Sequence, residues 1–118
     1  KINISTIAVM SNDVNSYPED SFDKMKLFAK KYNFNFPYLI DETQKIAKSY
    51  NAVCTPDIFG FNRINKLKYR GRLDSGVVNK DNIERELFNA MKKIKETGEG
   101  PTKQLNSFGC SIKWFNHE

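Results

Sequence analysis

Histidine and cysteine are nearly absent from this 118-residue chain, which has one histidine, His117, and two cysteines, Cys54 and Cys110. Two thiols so far apart make no disulfide scaffold. No usual ligand spacing joins them to His117 as a zinc site, so no metal and no cofactor is expected. The longest apolar runs are too short to span a bilayer. There is no Walker loop, no zinc-finger spacing, no repeat and no low-complexity tract. The loop "SNDVNS" contains no glycine, which removes the phosphate-binding turn of a dinucleotide fold. No two carboxylates are set up as an acid–base pair. The chain opens at Lys1 without a methionine and enters an apolar run almost at once, so the missing signal peptide assigns no compartment. Cytoplasmic is the favoured location, with the periplasm left open.

Charge is present but dispersed. The formal net charge is +5, and Lys24, Lys26, Lys30, Lys31, Lys45, Lys48, Lys92, Lys93 and Lys95 are scattered through helix-like segments. Spread this way, lysines read as solvated helix faces, so neither nucleic acid nor membrane is an expected partner.

Periodicity places the elements. "INISTIAVM" (2–10) reads as a buried, β-branched strand. "SYPE" starts a helix, with Ser16 as cap, Pro18 in the first turn and Glu19 three residues after Ser16. Phe22, Met25, Phe28, Ala29 and Tyr32 then form its apolar stripe. "FPYLI" (36–40) is a second strand. Asp41 with Gln44 reads as a capping box for a short helix through Ile46, Ala47 and Tyr50. "DIFGF" (57–61) and "KLKYRGRL" (66–73) flank the turn "NRIN" as an antiparallel hairpin. A loop covers 74–80. Asp81 and Glu84 open a long helix with Ile83, Leu87, Ala90, Met91 and Ile94 inward, which Gly98, Gly100 and Pro101 end. The apolar tail "FGCSIKWF" packs back, with Trp114 as its anchor. One domain over 1–97 with an extension over 98–118 follows, in the order β-α-β-α-β-β-α-tail.

Between the short helix and the hairpin stands "NAVCTPDIFGF", where an X-Pro bond adopts cis at little cost. The motifs S-N-D, Y-P-E-D-S, F-P-Y-L-I-D-E-T-Q, C-T-P-D, Y-R-G-R-L-D and G-C-S-I-K-W form a specific set. Through them, from Ile4 to Trp114, the chain resembles the thioredoxin-like redoxins of the peroxiredoxin-like branch, relatives of alkyl hydroperoxide reductase and thiol-specific antioxidant. The resemblance implies an α/β thioredoxin-like fold, a central mixed sheet flanked by helices, with a cis Pro56. It also implies a Cys-x-x-Cys-Pro segment on a strand–helix portion, and the chain has no Cys-x-x-Cys anywhere. That N-terminal portion is therefore expected upstream of Lys1, with the nucleophile in it. The loop 74–80 is shorter than the family's glycine- and proline-containing loop.

In the chemistry that the resemblance implies, a cysteine at a helix N-terminus attacks a disulfide or hydroperoxide as thiolate, and a second cysteine resolves the product. Thr55 and Pro56 then form one wall of the site. For Cys54 two readings stand, a redox partner or a small apolar residue packed behind the turn. Cys110 is a second redox candidate, and a Cys54–Cys110 disulfide stands as an alternative to two separate thiols. Arg70 and Arg72 are candidate anion contacts or plain surface residues. Asp57 and Asp74 read as turn or cap residues, and His117 as terminal and solvated. The leading function is a thiol–disulfide oxidoreductase or thiol-dependent peroxide reductase, served by a disulfide or hydroperoxide substrate and a thiol reductant. The alternative is a redox-inactive module that binds an extended peptide at the cis-proline edge. A small-ligand binding α/β domain is the third reading.

Overall fold

The computed structural model describes residues 3–76 and 84–115. The expected Asp81 cap and Ile83, most of the loop 74–80, and His117 lie outside the described residues. Two compact units divide the chain: Cys54–Cys110 forms one, and Asn3–Val53 with the tail from Ser111 forms the other.

In the Asn3–Val53 unit, β1 (Ala8–Met10) pairs in parallel with β2 (Tyr38–Ile40), Ala8 opposite Tyr38 and Met10 opposite Ile40. Of the strand expected over 2–10, the described residues 3–10 form strand only over the last three. A 3-10 turn, Pro18–Asp20, precedes α1 (Phe22–Lys31). Ser21 caps α1 by accepting from the Lys24 amide at 3.3 Å. The expected Ser16 cap is therefore replaced: Pro18 fits the first 3-10 position, and the chain re-enters extended backbone at Ser21 before the α-helix starts. Of the stripe on α1 only Met25 is buried. Phe28 packs instead on Tyr32 and Phe34, with ring centroids 4.7 and 5.6 Å apart.

The short helix α2 (Lys45–Ser49) follows. The helix starts at Lys45 with Gln44 at its N-cap position, so the expected box with Asp41 as the cap is shifted; the Asp41 carboxylate still accepts from the amides of Ile46 and Ala47 at 3.2 and 2.9 Å. The other half of the expected capping box is not made. Gln44 adopts left-handed backbone, φ 63°, and its fully buried carboxamide turns inward. There its Nε2 donates to the carbonyls of Ser11 (2.8 Å) and Lys113 (3.0 Å), and its Oε1 accepts from the Phe115 amide (2.9 Å). Asn12 Oδ1 accepts from the Lys113 amide, and the Asp13 amide donates to the Lys113 carbonyl. Ser11 closes the network on Asp41 at 2.9 Å. A buried polar lattice thus ties "SND", "DETQ" and the "IKWF" tail together, and every buried amide and carbonyl it covers has a partner. Ile112 supplies the buried apolar contact of the tail. Trp114, the expected anchor, is 40% exposed and carries Lys48 Nζ 5.7 Å from its ring centre. The backbone lattice holds the tail, so the indole need not.

In the Cys54–Cys110 unit, β3 (Cys54–Thr55) leads through Pro56 to β4 (Ile58–Phe61). β4 pairs antiparallel with β5 (Leu67–Gly71), with a register irregularity at Gly60/Phe61. Asn62 builds the hairpin turn, its Oδ1 accepting from the amides of Ile64 and Lys66. The amphipathic helix α3 (Glu86–Thr97) packs on both strands. Tyr69, Ala90 and Ile94 are its buried core, with Ile58, Leu87 and Met91 around them. Gly98 ends α3 at φ 79°, where a side chain would be strained, and its amide satisfies the Ile94 carbonyl. The tail strand β6 (Cys110–Ser111) pairs with β3.

The mixed α/β, thioredoxin-like arrangement expected from the sequence stands. Instead of one central sheet, however, the described strands form three two-stranded ladders. Among the described residues, no helix is long and apolar enough to cross a membrane.

Candidate functional site

The β3–β4 connection brings together most of the residues that the sequence singled out. The Thr55–Pro56 peptide bond is cis, and both residues are exposed. Cys54, just before them, is buried and approaches the Pro56 carbonyl at 3.6 Å through its Sγ. Burial pushes its thiol pKa up, the Asp57 carboxylate adds to the rise, and the Arg70 guanidinium pulls it partly back. A thiol held protonated in this way is a poor nucleophile near neutral pH. Cys110 is exposed, and neither cysteine is in a disulfide.

Behind the turn lies a charged layer. Asp57 has a side chain only 4% exposed, and it pairs with Arg70 at 3.1 Å. Its other oxygen accepts from Ser107 at 3.0 Å. Arg70 also stacks 4.9 Å above the Phe59 ring. Arg72 pairs with Glu86, and its carbonyl accepts from the Tyr69 hydroxyl at 2.6 Å. Burial raises the Tyr69 pKa, with Glu86 adding and Arg72 opposing. Both candidate anion contacts therefore carry a carboxylate partner inside the unit, and an incoming anion would have to compete with it. Asp74 acts as a turn residue, accepting from the Gly76 amide at 2.8 Å. Among the described residues, one buried oxygen of Glu86 has no hydrogen-bond partner.

A shallow cleft of about 170 Å³ opens at the turn, lined by Pro56, Arg72, Leu73, Asp74, Gly76 and Phe108. Its walls are mainly apolar, and Leu73 and Phe108 are both more than half exposed. Among the described residues, no group of three or more His, Cys, Asp or Glu side chains is placed to hold a metal ion.

Sequence reasoning found Cys54, Thr55, Pro56, Arg70 and Arg72, all of which stand within one unit. It missed Glu86 and Ser107, the partners of Arg72 and Asp57. Glu86 is one of several acidic residues on a polar helix flank, and Ser107 sits in a loop-like run. Neither position carries a local signal.

The family model described as "AhpC/TSA family" matches residues 1–73. A search of the curated proteins gives no match. Among solved structures, the chain is similar to an uncharacterized conserved protein from Geobacillus kaustophilus. The identity is 44% and the TM-score 0.85, over 97% of this chain and 61% of that one. It is also similar to a hypothetical protein from Sinorhizobium meliloti 1021, at 34% identity and a TM-score of 0.85, over 96% of this chain and 63% of that one. The chain thus spans less than two thirds of the length of either protein.

Proposed function

The chain belongs to the AhpC/TSA family, and on that premise we propose that it forms the substrate-side wall of a thiol-dependent oxidoreductase that reduces a disulfide or a hydroperoxide. The observation that carries this reading is the reach of the family match. It runs through residues 1–73 and so includes Cys54, Thr55, Pro56, Arg70 and Arg72. The nucleophile is a cysteine on a Cys-x-x-Cys segment outside this sequence, activated as thiolate at a helix N-terminus, and the second cysteine of that segment resolves the product. Cys54 does not replace it, because a buried thiol with a raised pKa is the wrong starting point for attack. Thr55 and Pro56 form the wall beside the reacting sulfur. Cys54 packs behind them, and Cys110 is the accessible thiol of the pair.

A second reading, a redox-inactive module binding an extended peptide, draws support from the pairing of β3 with a strand of the tail. A backbone edge that accepts one extended segment suits another.

The test is to express the chain together with the residues its gene encodes before Lys1. Reduction of a small disulfide and of hydrogen peroxide is then followed with dithiothreitol as reductant. Turnover that disappears when an upstream Cys-x-x-Cys pair is changed to serine is the expected result. A gene without such a pair, or a chain with the pair and no turnover on either substrate, sinks the enzyme reading in favour of the binding module.

A further inference from the structure

Residues 104–110 run along the Cys54–Cys110 unit as a strap tied at Gln104 and at each residue from Ser107 to Cys110. Gln104 behaves as a backbone mimic: its Oε1 accepts from the Arg70 amide at 2.9 Å, and its Nε2 donates to the Lys68 carbonyl at 2.8 Å. The side chain therefore closes the outer edge of β5 where a strand would otherwise pair. The Ser107 hydroxyl lies within hydrogen-bond reach of both the Asp57 carboxylate and the Gly71 carbonyl, with one proton shared between the two acceptors. Phe108 lines the cleft beside Pro56. Gly109 then passes so close to the turn that an added Cβ would collide with the Thr55 carbonyl and touch Pro56 Cδ at 3.4 Å. Only glycine fits there without displacing backbone. Finally, Thr55 Oγ1 donates to the Cys110 carbonyl at 3.4 Å.

The ties lie on the turn, on Asp57 just after it, and on β5, which pairs with β4. Thr55, the residue whose backbone would receive a ligand, already has an extended segment beside it. The segment meets the turn in a fixed order: a hydroxyl at Asp57, an aromatic ring at the apolar cleft, a side-chain-free residue at the Thr55 carbonyl, and then a thiol.

We propose that residues 104–110 are a tethered internal ligand of the Thr55–Pro56 edge, a strap that must lift before an extended polypeptide can bind there. This rests on the reading of Thr55–Pro56 as a ligand-facing wall, and it adds the class of ligand. The edge takes an extended segment of the Ser-aromatic-Gly-Cys kind, for which Ser107–Cys110 is the built-in example. The place that Phe108 vacates beside Pro56 and Leu73 suits a neutral aromatic group, because Arg72 and Asp74 next to it are engaged with Glu86 and the Gly76 amide. Strap and ligand compete for one edge, so lifting the strap raises apparent affinity in proportion to the fraction of chains left open.

The test uses the chain as it stands and a fluorescent synthetic peptide of residues 104–113. In Gly109→Val the new side chain meets the Thr55 carbonyl and expels the strap. Two readouts are taken, amide hydrogen exchange of the tail and peptide binding by anisotropy. Circular dichroism and urea unfolding establish that the variant is folded. The unaltered chain should bind the peptide weakly, and Gly109→Val should bind at least roughly tenfold more tightly, with faster exchange at 107–110. Ser107→Ala together with Gln104→Ala loosens the strap without changing the wall, and should shift both readouts the same way by a smaller factor. If folded variants show faster tail exchange and no gain in peptide binding, the wall reading fails and the proposal with it. If neither set of substitutions changes tail exchange, the strap is not a displaceable element; the proposal falls while the wall reading survives.

Discussion

Gln44 and Lys113, far apart in sequence, are joined by a hydrogen bond from the Gln44 carboxamide to the Lys113 carbonyl at 3.0 Å. The same side chain accepts from the Phe115 amide and donates to the Ser11 carbonyl. One fully buried glutamine thus serves two separate stretches of backbone, and it does so from a left-handed conformation that places its side chain inward.

Gln44→Ala should therefore unfold at lower denaturant, with a loss of about 3 kcal/mol, because several buried backbone groups lose their partner at once. Gln44→Glu is the sharper variant: a carboxylate keeps the size but has no donor for the two carbonyls. Urea titration at pH 7 should find it at least as damaging as alanine, with partial recovery on acidification as the carboxyl regains a proton. A stable Gln44→Ala would remove the lattice from the account of how the tail is held.

The two serines before α1 separate the structural assignment from the sequence one. Ser21→Ala should cost about 1 kcal/mol in urea unfolding, the usual value of a lost N-cap. Ser16→Ala should leave the midpoint unchanged within error. The reverse ranking would put the cap back at Ser16.

Thiol chemistry should divide the cysteines. A chromogenic aromatic disulfide at pH 8 should label Cys110 within the mixing time and Cys54 much more slowly, since burial and Asp57 both hold the Cys54 thiol protonated. Denaturant should make the two rates alike. Cys110→Ser should delete the fast phase only. Equal native rates would contradict the burial of Cys54.

Alkaline pH should destabilise the chain. The Tyr69, Tyr38 and Cys54 pKa values are all raised, each chiefly by burial. For such groups the native state keeps its proton while the unfolded state gives it up. Stability is therefore full below the ordinary thiol and phenol range, and it falls as pH rises from about 8.5 through 10 and beyond. Tyr69→Phe should flatten part of that slope. At neutral pH it should also cost about 1–2 kcal/mol, because the Arg72 carbonyl loses the hydroxyl that donates to it. A stability–pH curve that is level up to pH 10.5 in the unaltered chain would remove this assignment.

Local chemistry made much of the protein legible. The hairpin at 58–71 follows from two β-rich runs around a short polar turn, and the long helix from its apolar spacing closed by Gly98. The service of Asp41 to the first amides of α2 follows from one acidic side chain ahead of an apolar run, although the helix begins later than the pattern implied. The motif set around Cys54-Thr55-Pro56 led to the family that the comparison finds. The hairpin, the helix and the bonds of Asp41 are short-range, decided by neighbours within a few residues.

What the chain does with its long-range partners was not legible. A glutamine that reads as half of a capping box became the hub of a buried lattice, because the carbonyls it serves lie some thirty to seventy positions away in sequence. Arg70 and Arg72 read as anion contacts or surface charges, yet each has a carboxylate partner, from the turn and from α3. The glycine of "FGCS" signals only a bend in sequence, while in space it is the one residue that fits against the Thr55 carbonyl. Composition and periodicity specify which elements form. Where a buried donor finds its acceptor depends on which loops packing brings together, and only the tertiary structure decides that.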